Sequence, residues 1–419
     1  MAELVYAQRS ERCSLTGLEV QILSCPLDKL VVNHLMKKDY QKLSIAAHRK
    51  MRGKIEVISK MPLRNREDLS IAYTPGVAGP ALAIAQDKRF VYEMTSTKNG
   101  VAIVSDGSAV LGLGNIGPEA ALPIMEGKAA LFKRFAGLDG FPIVLATQDV
   151  EEIIATVKAI APTFGGINLE DISAPRCFEI EERLKKELDI PVMHDDQHGT
   201  AVVVLAGLIN ALKVVKKEKT KVKMVVSGAG AAGTAVTKLL HTYGFINILV
   251  CDRQGIITSK RKNLEKHKKY LASITNSHKI SGSLKDALVG ADIFVGVSQG
   301  NLIGSVEIKM MGPDPIILAL ANPTPEIMPD KAMRGGAAVV ASGRSDFPNQ
   351  INNVLVYPGI FKGAIEARIR EITDEMKIAA AAALASVVKR PTAEKIIPDP
   401  FDKKVVLAVS NAVKKIARR

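Results

Sequence analysis

Tryptophan is absent from this 419-residue chain, and aromatic residues make up only 4% of it. So few rings leave little with which to stack unpaired bases, which argues against a single-stranded nucleic-acid platform. There are four cysteines, Cys13, Cys25, Cys177 and Cys251, and no CxxC pair. Neither a zinc site nor a disulfide framework is suggested, and a reducing, cytoplasmic compartment is expected. The stretch Met1 to Arg12 is charged early and lacks a continuous apolar segment, so no signal peptide is read. Apolar stretches such as Thr200 to Leu212 fall short of the ~20 residues a membrane span needs. Low-complexity tracts and solenoid-length repeats are also missing.

What is present is an ordinary globular composition, 47% hydrophobic and 24% charged, in a chain long enough for two or three domains. The formal net charge is +14, gathered in runs at Lys213 to Lys223, Lys260 to Lys269 and Lys414 to Arg419. Two readings stand. The preferred one is solvated helix faces with a general attraction for small anions, so no nucleic-acid partner and no membrane are expected. The other is a nucleic-acid patch, which predicts salt-sensitive binding.

Strand-like and helix-like segments alternate along most of the chain. Strands are expected at Gly100 to Val104, Phe141 to Ala146, Gly166 to Leu169 and Pro191 to Met193. Helices are expected at Pro118 to Phe135, Val150 to Ile160 and Ala174 to Leu188. That rhythm argues for an α/β fold with parallel strands. A long apolar helix over Gly199 to Lys216 leads to a second series. There, strands are expected at Val222 to Val226, Ile246 to Cys251, Ala291 to Val295 and Ile316 to Leu320, and a helix at Gly233 to Tyr243. This reads as a Rossmann-like doubly wound parallel sheet. Residues 362 to 389 and 403 to 417 are expected to be helical and to fold back.

Two GxGxxG strings occur. The second, Gly228-Ala229-Gly230-Ala231-Ala232-Gly233, follows a strand, opens a helix, and is followed by a second strand ending in Asp252, 19 residues beyond Gly233. Such glycines let backbone approach a pyrophosphate at the helix N-terminus, and the acid accepts from ribose hydroxyls. A dinucleotide is therefore expected there. The Asp252 carboxylate favours NAD slightly over NADP, although Arg253 beside it counters repulsion of a 2′-phosphate, and Lys266 to Lys269 lie near in sequence. The first string, Gly112 to Gly117, lacks an acid-ended strand at that distance and reads as a tight loop.

Two acidic doublets, Glu170-Asp171 and Asp195-Asp196, stand at strand ends before helices. A helix N-cap explains one acid at each place. Two doublets equally suit a Mg²⁺ or Mn²⁺ site built of hard oxygen ligands.

These strings resemble the malic enzyme family, in its short prokaryotic form. The resemblance rests on Tyr73-Thr74-Pro75-Gly76-Val77-Ala78, Ser105-Asp106-Gly107 leading into Leu111 to Gly117, Met125 to Lys128, and Asn168 to Asp171. It continues through His194 to Ala201, Ala321 to Glu326, Asn352-Asn353-Val354 and Tyr357-Pro358-Gly359. It spans about residues 40 to 415. It implies an NAD(P)-linked oxidation and decarboxylation of malate to pyruvate and CO₂ that needs a divalent metal. By position, Tyr73 matches the general acid and Lys128 the general base. Glu170, Asp171 and Asp196 match the metal ligands, with Asp195 behind them. Asn322 matches a residue touching substrate and nicotinamide, and Asn352 or Asn353 a substrate contact, with Asn353 preferred. His194 and His198 are read as orienting hydrogen-bonders. The arginine that eukaryotic members use for a malate carboxylate is replaced here by Ala109, which leaves Lys128, the metal and backbone amides. As a base, Lys128 requires a depressed pKa. The resemblance also implies a homodimer or larger. Domains are expected as an extension at 1–37, an N-terminal catalytic domain at 38–199, a dinucleotide-binding domain at 200–390, and a C-terminal helix at 391–419 returning to the first domain. Malolactic chemistry, malate to lactate, stands as the near alternative. A simple malate dehydrogenase is disfavoured because hydride transfer alone needs no metal. A basic nucleic-acid-binding protein on a Rossmann core is the alternative of another class.

Overall fold

The computed structural model describes residues 39–418. The expected extension over 1–37, with Cys13 and Cys25, lies outside them. The chain divides at Gly53/Lys54 into two compact units. Among the described residues, the first contributes helix α1 (Tyr40–Met51), capped by the Asp39 side chain and ended by Arg52 in the left-handed region. The second unit, from Lys54, carries two parallel sheets.

The first sheet has strand order β2-β1-β3-β4, all parallel. Its strands are β1 (Gly100–Ser105), β2 (Asp139–Val144), β3 (Gly166–Leu169) and β4 (Val192–His194). Central strands β1 and β3 are buried throughout, which is why Val101 to Val104 reads as a continuous apolar run rather than an alternation. Ahead of β1 lie α2 (Arg66–Ala72) and α3 (Ala78–Gln86), neither of which buries a residue. Helix α4 (Pro118–Leu131) starts with proline where its missing N–H costs nothing. It ends earlier than its pattern suggests, loosening into a wider turn at Phe132–Ala136 before Gly137. Helices α5 (Val150–Ile160) and α6 (Arg176–Glu187) cover one face of the sheet, burying Ile153, Val157, Ile180 and Leu184 beneath it.

Helix α7 (Asp195–Val215) begins four residues before the apolar run that announces it. Asp195 and Asp196 therefore occupy its first turn, where the helix dipole favours negative charge. By length and composition α7 could cross a membrane, but its most apolar window is 67% buried inside the protein. It is apolar all round because it is packed all round.

The second sheet has strand order β10-β9-β8-β5-β6-β7. Its strands are β5 (Lys223–Ser227), β6 (Asn247–Asp252), β7 (Gly255–Ile256), β8 (Ile293–Gly296), β9 (Ile316–Ala319) and β10 (Val339–Ser342). All pairs are parallel except β6 with β7. Helix α8 (Ala231–Tyr243) follows β5, and α9 (Lys266–Ile274) follows the β6–β7 hairpin. The expected helix over 362–389 is two helices, α10 (Tyr357–Glu366) and α11 (Asp374–Val387), and α12 (Lys404–Ala417) closes the described chain. One core joins the two sheets: Val101 and Ile103 from the first, Phe132 from the turn after α4, α7, Val226 and Val250 from the second, and the inner faces of α10 to α12.

Candidate active site

The carboxyl ends of β3 and β4 meet the first turn of α7, and there the charged side chains are buried. Lys128, on α4, is 7% exposed. Its Nζ donates to Asp195 Oδ2 at 2.5 Å and pairs with Glu170 Oε2. It also stands 4.4 Å above the centre of the Tyr357 ring, a cation–π arrangement. Asn353 Nδ2 donates to the same Asp195 oxygen at 2.6 Å. Asn352 instead turns its side-chain oxygen to the Val354 N–H, capping the short turn Asn353–Leu355. Of the two asparagines, only Asn353 reaches the cluster. Gly199 leaves room for it: a Cβ there would lie 1.8 Å from Asp195 Oδ1 and 3.2 Å from the Asn353 Cβ.

Glu170, Asp171 and Asp196 each present a carboxylate oxygen within 4.8 Å of the others. Asn168 Nδ2 donates to Glu170, and the Asp171 N–H donates to Asp196 Oδ2 at 2.8 Å. Asp171 itself adopts φ +53°, unusual for a residue with a side chain. Its carbonyl accepts from Ala109 N–H, tying the Ser105 to Leu111 loop to the acids. Burial, then the negative charges of Asp196 and Glu170, push Asp171 up to about 9. Burial raises Asp195 and Asp196 to about 6 despite the pull of Lys128, and Glu170 is also raised. Crowded carboxylates that repel one another in this way are a donor set of hard oxygens suited to a divalent cation.

Lys128 departs from expectation. Burial works against its charge, but Asp195 and Glu170 outweigh burial and hold its pKa well above the ordinary lysine value. The depression expected of a base is thus opposed by its ion pairs. Tyr73, the residue matched to the general acid, is 66% exposed. No hydrogen bond or ring contact joins it to Lys128 among the described residues.

Behind the acids lies a carboxylate that the sequence did not single out. Glu181, on α6 and 4% exposed, accepts from the His194 N–H at 3.0 Å and from Lys185 at 2.7 Å on Oε1. On Oε2 it accepts from Gln197 at 3.1 Å and pairs with His198 at 2.9 Å. Burial would raise its pKa, but His198 and Lys185 hold it well below the carboxylate range. Burial lowers the pKa of His198 to about 3, against the pull of the Glu181 charge. His194 is fully buried and neutral, with Nε2 3.7 Å from Asp196 Oδ2. Nothing in the pattern around Glu181 marks it out, since an acid in an amphipathic helix looks solvated. Tyr357 was visible only as part of its motif.

At the second sheet, the order reverses between β5 and β8, the place where α/β sheets bind ligands. The Gly228 to Gly233 loop lies there. Gly228 has φ +115°, and a Cβ on it would sit 2.7 Å from the Val297 carbonyl oxygen. A Cβ on Gly233 would lie 1.9 Å from the Gly228 carbonyl oxygen. Gly230 faces open space and N-caps α8 with no side chain, so the first N–H groups, including those of Ala231 and Ala232, are left for an anion. The loop fits a pyrophosphate. His267 Nε2 donates to the Ala229 carbonyl at 3.0 Å, docking α9 on the loop. Asp252 ends β6 as expected, but the cations on it are Arg261 and Lys268, while its neighbour Arg253 is exposed. Asn322 is half-buried at the end of β9. A Cβ on Gly112 would lie 2.5 Å from its carbonyl oxygen, so the first glycine loop packs against it.

A doubly wound sheet with a pyrophosphate loop, joined through one core to a buried acid–lysine cluster, defines a dinucleotide-linked oxidoreductase with an acidic centre. Two family models match: the malic enzyme N-terminal domain over residues 52–185 and the malic enzyme NAD-binding domain over 197–418. A bifunctional malic/malolactic enzyme of Bacillus subtilis is 56% identical over 88% of this chain and 91% of its own length. An NAD-dependent malic enzyme of Geobacillus stearothermophilus is 57% identical over 88% and 77%. Among solved structures, the NAD-dependent malic enzyme of Thermotoga maritima superposes with a TM-score of 0.86 at 52% identity, covering 88% of this chain and 98% of that one. The chain belongs to the malic enzyme family.

Proposed function

We propose that this chain oxidises and decarboxylates malate to pyruvate and CO₂, with reduction of NAD or NADP. Its membership in the malic enzyme family carries that assignment, and the Lys128 cluster is the place we assign to the chemistry. Glu170, Asp171 and Asp196 would hold Mg²⁺ or Mn²⁺. When bound, the ion supplies a Lewis acid for the substrate oxygens and offsets charge as CO₂ leaves. The Gly228 to Gly233 loop, with Asp252, Arg253 and Asn322, would hold the dinucleotide, which supplies the hydride acceptor.

Lys128 Nζ is the group for the proton of the malate C2 hydroxyl. It is held charged, so it must first pass a proton on, and Asp195 Oδ2 at 2.5 Å is the near acceptor. The proton taken from the hydroxyl is formally the one returned to C3 after CO₂ departs, so the sequence consumes none overall. Tyr73 is the proposed donor to C3, and Asn353 and Asn322 the substrate contacts.

A homodimer is the proposed assembly. Within residues 55–94, Ile55, Val57, Ile58, Leu63, Leu69, Ile71 and Tyr73 are all exposed. A second copy seated there would bury them. Light scattering on the purified chain tests the point, with a monomer as the contrary result. A cytoplasmic location is proposed on the two buried free thiols, Cys177 and Cys251.

The Bacillus subtilis relative favours a second reading, decarboxylation of malate to lactate with the dinucleotide retained. Malate supplied with Mn²⁺ and either dinucleotide separates the two. The malic reading expects reduced dinucleotide and pyruvate in equal amounts. Lactate without net reduction would replace it.

A further inference from the structure

The acid at the end of β6 usually decides whether a dinucleotide site admits a 2′-phosphate, because a free carboxylate repels it. Here that carboxylate is not free. Asp252 Oδ1 accepts from the Gln254 N–H and Arg261 Nη1, both at 2.9 Å, and Oδ2 accepts from Arg261 Nη2 at 3.0 Å. Lys268 Nζ stands 3.5 Å from the same Oδ2. The Arg261 side chain is 17% exposed, and its guanidinium donates to the Gln254 side-chain oxygen at 2.7 Å. Helix α9 brings Lys268 there because His267 anchors it to the Ala229 carbonyl of the glycine loop and packs on Phe178, ring centres 4.9 Å apart. The position where an acid should exclude phosphate therefore carries one carboxylate facing two cations. Glu265, which also pairs with Lys268 at 3.0 Å, is half exposed and screened by water.

We propose that Arg261, with Lys268 beside it, is the specificity-determining residue of this dinucleotide site, and that the site accepts a 2′-phosphate as well as a free ribose. The inference rests on the reading of Gly228 to Gly233 as the dinucleotide loop. With NAD, the Arg261–Asp252 fork stays closed and holds the β6–β7 turn. With NADP, the planar guanidinium turns part of its fork to the phosphate, for which two parallel N–H donors are well matched, and Lys268 remains as a point charge on Asp252. Sequence alone pointed to Arg253, the neighbour of Asp252. The residue that acts, Arg261, lies nine positions beyond Asp252, past a two-residue strand.

The test measures binding without malate, using the full chain. Its lack of tryptophan leaves the fluorescence of bound NADH and NADPH free of energy transfer from indole. The unaltered protein is expected to bind both. Arg261→Ala should raise the ratio of the NADPH to NADH dissociation constants about tenfold or more, as expected for losing hydrogen bonds to a charged group. Arg261→Lys should recover part of that ratio, and Asp252→Asn should lower it, which keeps the test decisive if the alanine variant folds poorly. An unchanged ratio in the Arg261 variants, or NADH binding with none of NADPH by the unaltered chain, overturns the proposal. If neither nucleotide binds, the dinucleotide reading of the glycine loop falls first, and that result is distinct from a change in ratio.

Discussion

The acid cluster at the ends of β3 and β4 and the glycine loop at the end of β5 are built by opposite means. The cluster is made of side chains: five ionisable groups in mutual electrostatic contact, of which Lys128, Glu170, Asp171 and Asp195 are buried and Asp196 is partly exposed. The loop is made of backbone, and its side chains matter by being absent. The cluster should therefore fail when a functional group is removed, and the loop when an atom is added.

Removing the central cation should give the largest effect. Lys128→Met leaves Asp195 and Glu170 buried without their counter-charge and takes away the proton acceptor. We expect kcat to fall by roughly 10² to 10⁴, with stability lowered by about 3–5 kcal/mol. NADH binding by the folded fraction should persist. Steady-state rates and chemical denaturation measure the two parts, and a kcat within tenfold of the parent would remove Lys128 from the chemistry.

Glu181→Gln tests the layer beneath. The amide keeps an acceptor for the His194 N–H but loses the charge facing Lys185. A loss of about 10- to 100-fold in metal affinity or activity is expected, by analogy with groups that orient metal ligands. Titration of Mn²⁺ by its paramagnetic signal distinguishes this from general destabilisation, since a merely structural role would lower the melting temperature and leave the metal affinity of the folded protein intact.

The loop is tested by Gly233→Ala. With the Gly228 carbonyl oxygen 1.9 Å from the new Cβ, the turn must shift. NADH affinity should drop about tenfold while Mn²⁺ affinity holds. An equal loss of both would mean that the two regions are less independent than their construction implies.

The smallest effect is on the pH dependence of stability. The folded-state pKa of Asp171, about 9, lies above its unfolded value. The folded metal-free protein therefore keeps a proton that the unfolded chain releases. This contribution is full at low pH and is lost as pH rises from about 4 to about 9. A divalent cation takes the place of that proton, so the melting temperature gained on adding Mn²⁺ should be larger at about pH 8 than at about pH 6. A gain independent of pH would separate the ion from Asp171.

The two regions also differed in how far the sequence exposed them. The glycine loop was legible locally, because strand, glycines, helix and terminal acid all lie within about 30 residues. The two α/β layers were legible for the same reason. Strand β10 was not, since Val339–Ser342 is a short apolar run like many others, and the break between α10 and α11 lay inside a continuous helical pattern. The cluster depends on residues from α4, β3, α6, α7 and the 353 turn, which no local pattern connects, and only ordered resemblance had gathered most of them. Resemblance could not show that Lys128 sits over Tyr357, that Glu181 braces the β4–α7 junction, or that Arg261 closes on Asp252. Those pairs join residues up to 229 positions apart, and only the packing reveals them.

On our proposal, Glu170, Asp171 and Asp196 form a cation site distinct from the dinucleotide loop. Mn²⁺ binding to the full chain, followed by paramagnetic resonance in parallel with NADH fluorescence, tests it most directly. One tight Mn²⁺ per chain is expected, lost in Asp196→Asn together with malate oxidation, while NADH binding stays. Unchanged Mn²⁺ binding in that variant, or full malate oxidation in excess chelator, would contradict it.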